Sequence, residues 1–154
     1  FRVSLCHLFE PDKETRTFNR KERKVRKEKI SEDMEPQDDP RFIKGIDEFN
    51  RQLFFECHET LEELWLEERG EDRKFYQGII QIAAGYYKLQ QGVPVGALKL
   101  WRTGLEKLQP FGPVFYGVNV ESLIGAVRAN LAQLEAGEPN AIDVLLPPTI
   151  ALFC

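Results

Sequence analysis

The chain has 154 residues, 42% apolar and 30% charged, with 21 Lys and Arg against 25 Asp and Glu. That length and balance suit one soluble domain with one core, and no apolar run approaches the ~20 residues of a membrane span. Cysteines at 6, 57 and 154 are too few and too scattered for a disulfide framework or a Cys-rich zinc site. They point to a reducing compartment such as the cytoplasm. The three serines, none within Gly-x-Ser-x-Gly, argue against an α/β-hydrolase site.

Charge divides unevenly along the chain. Residues 1–33 carry ten basic and seven acidic side chains, whereas residues 34–154 carry eleven and eighteen. Between Pro11 and Asp33 only Phe18, Val25 and Ile30 are apolar, too few to offset the entropy of ordering. Residues 1–38 therefore read as a charged arm, and residues 39–154 as the folded domain. The run from Arg20 to Lys29 mixes signs and lacks interleaved aromatics, which disfavours nucleic acid as its partner. Met34 is the only methionine, so the native start is expected there, with residues 1–33 a leader or remnant.

From Asp39 the pattern is helical. Asp39 is placed to cap a helix with Pro40 at N1, and Phe42, Ile46 and Phe49 form its stripe. After a break near Asn50–Leu53, a second helix runs from about Phe54 to Glu68 and stops before Gly70. A third, about Asp72 to Gln91, carries apolar residues on most sides and reads as central. Its Gly78 and Gly85 share a face on which a neighbour can approach closely. A fourth covers about Pro94 to Leu108. The loop from Gln109 to Gly117 holds too much Pro and Gly for helix, and if exposed it is the expected self-association surface. Asn119 caps a fifth helix, about Val120 to Ala136, and the tail after Pro139 is expected to lie extended over the bundle. No segment alternates at period two and no Asn-Gly or Asp-Gly hairpin signal occurs. The fold class is all-α, a compact bundle of about five helices with mostly antiparallel neighbours.

The candidate chemistry lies in Phe54-Phe55-Glu56-Cys57-His58-Glu59-Thr60-Leu61-Glu62-Glu63-Leu64-Trp65. At ~100° per residue, Phe54, Cys57, Leu61, Leu64 and Trp65 face the core, while Glu56, Glu59, Glu63 and Glu67 face outward. His58 and Glu62 stand at i, i+4 on the shoulder between. Three readings are open: two ligands of a metal site, a metal-free acid/base pair with His58 oriented by Glu62 or Glu59, or a satisfied histidine locking helices in a polar network. Cys57 points ~100° away from His58 and reads as a small core residue. Gln77, Gln81 and Lys88 form a polar stripe on the third helix, where Gln77 is placed to close a pocket if it faces His58.

The stretch Glu48-Phe49-Asn50, then Phe54 to Trp65, then Phe75-Tyr76-Gln77-Gly78-Ile79-Ile80-Gln81, resembles a family catalogued as domain of unknown function 309. The resemblance runs through Gly92 and Ala97-Leu98 over roughly residues 40–135. It implies a small all-helical protein of bacterial, archaeal or plastid lineages, here cyanobacterial or plastid-like, in cytoplasm or stroma. It marks Glu56, His58, Glu59, Glu62, Trp65, Gln77 and Gly78. The catalogued label, predicted metal-dependent hydrolase, implies His58, Glu62 and Glu56 around one divalent ion (Zn, Mn or Fe). Glu59 is then general base beside His58, and Trp65 and Gln77 support the site. One departure is Gln52, where many relatives have Gly. The competing expectation is a non-enzymatic interaction module, since Ala84-Gly85-Tyr86-Tyr87-Lys88-Leu89-Gln90-Gln91-Gly92 and the following Gly96-Ala97-Leu98 resemble a helical-repeat hairpin. The partner expected is an unidentified small molecule or protein, or a second copy of the chain.

Overall fold

A computed structural model describes residues 35–137, 143 and 145–152. Residues 1–34 of the charged arm, with the expected start at Met34, lie outside these residues. A 3-10 turn at Pro36–Asp38 leads into α1 (Pro40–Asn50), followed by α2 (Phe54–Glu67), α3 (Arg73–Gln90) and α4 (Pro94–Leu108). A second 3-10 turn (Gln109–Phe111) and two two-residue strands, β1 (Val114–Phe115) and β2 (Val118–Asn119), precede α5 (Val120–Glu135). Among the described residues the fold is all-α, a bundle of these five helices, as the period predicts. The strands pair antiparallel, Val114 opposite Asn119 and Phe115 opposite Val118. Two residues cannot display a period of two, so the hairpin left no trace in the pattern.

Helix boundaries follow the caps. Asp39 accepts the Arg41 N–H at 2.9 Å, and Asn119 accepts that of Ser122 at 2.9 Å. Asp72 precedes α3 but does not cap it, because its carboxylate takes the Tyr116 hydroxyl instead. Both α1 and α3 end in Schellman turns. Leu53 N–H reaches Glu48 C=O at 2.8 Å and Gln52 N–H reaches Phe49 C=O at 3.0 Å. Val93 N–H reaches Lys88 C=O at 2.9 Å and Gly92 N–H reaches Leu89 C=O at 3.0 Å. The second turn has Gly92 at φ +77°, and the first has Gln52 at φ +62°. Gln52 thus occupies the left-handed position that glycine fills most easily.

Helix α3 is the hub, with α2 on one side and α4 on the other, while α1 packs on α2 and α5 on α4. Its contact with α4 is close because glycines line it. A methyl on Gly78 would sit 2.7 Å from Leu108 Cγ, one on Gly85 2.5 Å from Trp101 Cδ1, and one on Gly104 2.9 Å from the Gly78 carbonyl oxygen. The core centres on Tyr86, whose ring lies 4.7 Å from Trp101 and 5.2 Å from Phe54. Each such aromatic contributes roughly 1.5–3 kcal/mol by burial.

The hydroxyl of Tyr86 accepts from Asn130 Nδ2 at 2.6 Å, and Asn130 also donates to Leu146 C=O at 3.1 Å. Asn50 clamps the tail from both sides. Its amide donates to Ile150 C=O at 2.9 Å and its carbonyl accepts Ile150 N–H at 2.6 Å. Residues 145–152 therefore run extended across the bundle, and Leu152 bridges to Val118. The loop after α4 folds inward rather than standing free. The rings of Phe111, Phe115 and Tyr116 lie 5.6, 4.9 and 5.5 Å from Phe75. Only Val114 of that segment is a well-exposed large apolar residue, so the expected self-association surface is mostly spent on the core. No helix among the described residues is long and apolar enough to cross a membrane.

Candidate functional site

The amphipathic pattern of α2 turns Phe54, Cys57, Leu61, Leu64 and Trp65 into the core. His58, one step round from that stripe, is carried in with them and is only 1% exposed. Its Nε2 lies 3.1 Å from Glu62 Oε2, the i, i+4 partner. Phe55 tilts over the imidazole with ring centroids 5.7 Å apart, and Tyr87 of α3 lies 5.3 Å beyond Phe55. Glu62 keeps 19% of its side chain accessible, so the carboxylate touches water while the imidazole does not.

The other marked carboxylates do not join this pair. Glu56 and Glu59 are exposed, and on a helix they lie ~200° and ~100° from His58. Among the described residues no three of His, Cys, Asp and Glu are placed to hold a metal ion. Among the described residues, Glu56 thus does not converge with His58 and Glu62 as a third ligand. His7 lies outside the described residues. Gln77 is half-buried on α3. Trp65 is buried at 5% exposure, capped by the Arg73 guanidinium 4.2 Å from its ring, and its carbonyl accepts Arg73 Nε at 3.1 Å. It is core with a cation–π lid. Cys57 is fully buried, and burial followed by the Glu48 charge pushes its thiol well above the usual range. It is inert rather than nucleophilic.

Polar networks that periodicity does not reveal lie elsewhere. Glu48, 8% exposed, accepts the Thr60 hydroxyl at 2.6 Å and ties α1 to α2. At the far end of α2, Arg41 forks onto Glu67 at 2.8 and 3.0 Å and onto Asp39 at 2.9 and 3.2 Å. Burial alone would lower the Arg41 pKa, but the hydrogen bonds that its guanidinium donates to Asp39 and Glu67, with their negative charges, outweigh burial and raise it. The Tyr116 hydroxyl donates to Asp72 in the same region. Sequence distance hides these pairs: 26 residues separate Arg41 from Glu67 and 44 separate Tyr116 from Asp72. The Asp39 cap was the one part of this end legible locally.

The comparisons follow the same helices. Residues 42–100 match a family described as Domain of unknown function (DUF309). The match runs from the first turn of α1 to the middle of α4 and is shorter than the extent suggested by sequence resemblance. The chain is also 39% identical over 57 residues to an uncharacterised Bacillus subtilis (strain 168) protein, YpuF. That stretch covers 36% of this chain and 33% of YpuF, so the chain spans about a third of this relative's length. The His58–Glu62 shoulder, α3 and the first half of α4 thus lie within the stretch, residues 42–100, that is similar to the DUF309 family.

Proposed function

We propose that the domain is a non-enzymatic helical interaction module, and that His58 and Glu62 are a polar lock within it. One observation carries this reading: an imidazole 1% exposed, 3.1 Å from Glu62, with Glu56 and Glu59 on other faces of α2. A general base must reach its substrate's proton within hydrogen-bond distance, and this imidazole is shut behind Phe55. A metal site needs further donors beside the pair. A lock needs neither. It stabilises by keeping a buried polar group partnered.

A docking face fits the same fold. The Schellman turns of α1 and α3 meet, joined by Gln90 Nε2 donating to Gln52 C=O at 3.2 Å. They present Leu53, Val93 and Val95 at 38, 42 and 69% exposure. Exposed Glu56 and Glu59 follow on α2. Apolar side chains rimmed by carboxylates suit a protein partner with apolar and basic residues.

The test is elemental analysis of the full chain after dialysis against metal-free buffer, beside His58→Ala and His58→Leu. A lock predicts no stoichiometric metal in the parent and a folded His58→Leu destabilised by ~1–3 kcal/mol, since removing one partner leaves the Glu62 carboxylate unpaired. Near-stoichiometric Zn, Mn or Fe in the parent and none in His58→Ala would overturn the reading and restore the hydrolase.

A further inference from the structure

The segment after α5 lies on the bundle as a bound peptide lies on its receptor. Residues 145–152 cross the surface outside any helix, with Leu145 and Ile150 buried and Leu146, Thr149 and Ala151 exposed. Three side-on contacts fix their backbone. Asn130 Nδ2 donates to the Leu146 carbonyl at 3.1 Å. The Asn50 amide donates to the Ile150 carbonyl at 2.9 Å, and its oxygen accepts the Ile150 N–H at 2.6 Å. Leu152 forms an antiparallel bridge to Val118 of β2.

These contacts are the ones proteins use to hold extended peptides: main-chain hydrogen bonds, strand addition, and pockets for separate side chains. Val118 already pairs with Phe115 of β1, so Leu152 adds a position to that small sheet. The Asn50 side chain spends its donor and its acceptor on one residue 100 positions away. That pairing reads main chain, so it takes any residue with an N–H and refuses proline. Side-chain selection falls to the aliphatic anchors Leu145 and Ile150. Pro147 and Pro148 between them have fixed φ and no N–H, which favours an extended course. Only the two anchors are buried among residues 145–152. A segment held at so few points opens more readily than a packed helix.

We infer that this groove, bounded by Asn50 of α1, Val118 of β2 and Asn130 of α5, is a receptor for an extended aliphatic segment of a partner protein. Residues 145–152 fill it as an intramolecular occupant that the partner displaces. The occupant already seated defines the partner's chemistry. It needs two aliphatic side chains spaced as Leu145 and Ile150 are, and an N–H at the second. It makes no demand at the outward positions. The chain's own segment keeps the apolar floor from water and competes at high local concentration, so it also gates the groove. The groove shares no residue with the face formed by Leu53, Val93 and Val95, and it involves neither His58 nor Glu62. Its failure would therefore leave the reading of those residues untouched.

The experiment is fluorescence anisotropy with a labelled synthetic peptide of residues 143–152. The protein is the full chain carrying Ile150→Ser, which removes its own anchor but keeps its backbone. The expected result is saturable binding, weaker by roughly tenfold or more to the parent chain, whose own segment competes. Binding should also fall roughly tenfold or more for a peptide N-methylated at Ile150, and for a chain carrying Asn50→Ala beside Ile150→Ser. A peptide with Leu146→Lys and Thr149→Lys should bind within about threefold of the first, because those positions face outward. No saturable binding to the folded Ile150→Ser chain, or indifference to N-methylation, overturns the inference. So does loss of binding with the lysine peptide, which would confine the groove to this chain's own sequence. If Ile150→Ser loses its helical circular dichroism, excess peptide is titrated into the parent while hydrogen exchange at the Ile150 N–H is followed. Faster exchange as the peptide saturates supports displacement, and unchanged exchange overturns it. A parent dimer in sedimentation that Asn50→Ala abolishes would give the groove to a second copy and overturn the partner protein.

Discussion

Alanine at Gly85 and alanine at Gly125 should move stability in opposite directions. Both glycines lie inside helices, so either change gains ~1 kcal/mol of intrinsic helix preference. At Gly125, exposed on α5, an added methyl meets nothing within 4 Å. That gain is then kept, and ~1 kcal/mol raises Tm by roughly 2–4 °C in a chain of this size. At Gly85 the methyl falls 2.5 Å from both Cδ1 and Nε1 of Trp101, and 3.3 Å from the Ala97 carbonyl oxygen. Carbon–carbon contacts settle at ~3.5 Å or more, so about 1 Å must be found. Trp101 has no room to give it, being 0% exposed with the Tyr86 ring 4.7 Å away. Either α4 backs away from α3 or the indole leaves its rotamer. Overpacking of this kind costs ~1–3 kcal/mol, and more where the neighbour is rigid. The net expectation for Gly85→Ala is destabilisation by up to about 2 kcal/mol once the helix gain is subtracted. Urea unfolding of the full chain, followed by circular dichroism and by Trp fluorescence, reads both variants. If Gly85→Ala were as stabilising as Gly125→Ala, the close α3–α4 approach would be wrong.

Three further outcomes follow from particular contacts. Gln52→Gly should stabilise by ~0.5–1 kcal/mol, because a side chain at φ +62° carries a left-handed penalty that glycine lacks; a lower urea midpoint would refute the Schellman assignment. Asn50→Ala removes both hydrogen bonds to Ile150 and should cost about 2 kcal/mol at ~1 kcal/mol each, with earlier proteolysis after residue 144; unchanged cleavage kinetics would deny the clamp. Burial holds the Tyr76, Tyr86 and Tyr116 phenols above their ordinary range. A raised folded pKa contributes stability that is present below the unfolded value of ~10 and lost as pH rises past it. Phenolate absorbance from these three should therefore appear together with loss of helix above about pH 10; a normal titration in the folded chain would contradict their burial.

The helices were legible because each carries its own instructions. Pro40 after Asp39, Asn119 before Val120 and Gly92 after Gln91 mark ends through local hydrogen bonds and backbone freedom, which need no partner. The stripes of α1 to α5 mark which faces must be buried, and the i, i+4 spacing placed His58 beside Glu62. Sequence alone also located the close-approach face of α3, since a glycine pair one helical repeat apart is a surface without side chains.

Tertiary structure decided what those faces meet. Whether His58 would look into a cavity or into Phe55 depended on how far α2 rolls against α3, a rotation that a shoulder position leaves open. Whether Glu56 and Glu59 would join it depended on donors from other helices, and among the described residues none arrive. The pairs of Arg41 with Glu67, Asn50 with Ile150 and Tyr116 with Asp72 join residues distant in the chain. No local period encodes such contacts, because they exist only once the packed core has brought separate helix ends together. Local propensity and patterning thus determined five helices and their inward faces, while long-range packing chose the polar partners at each end.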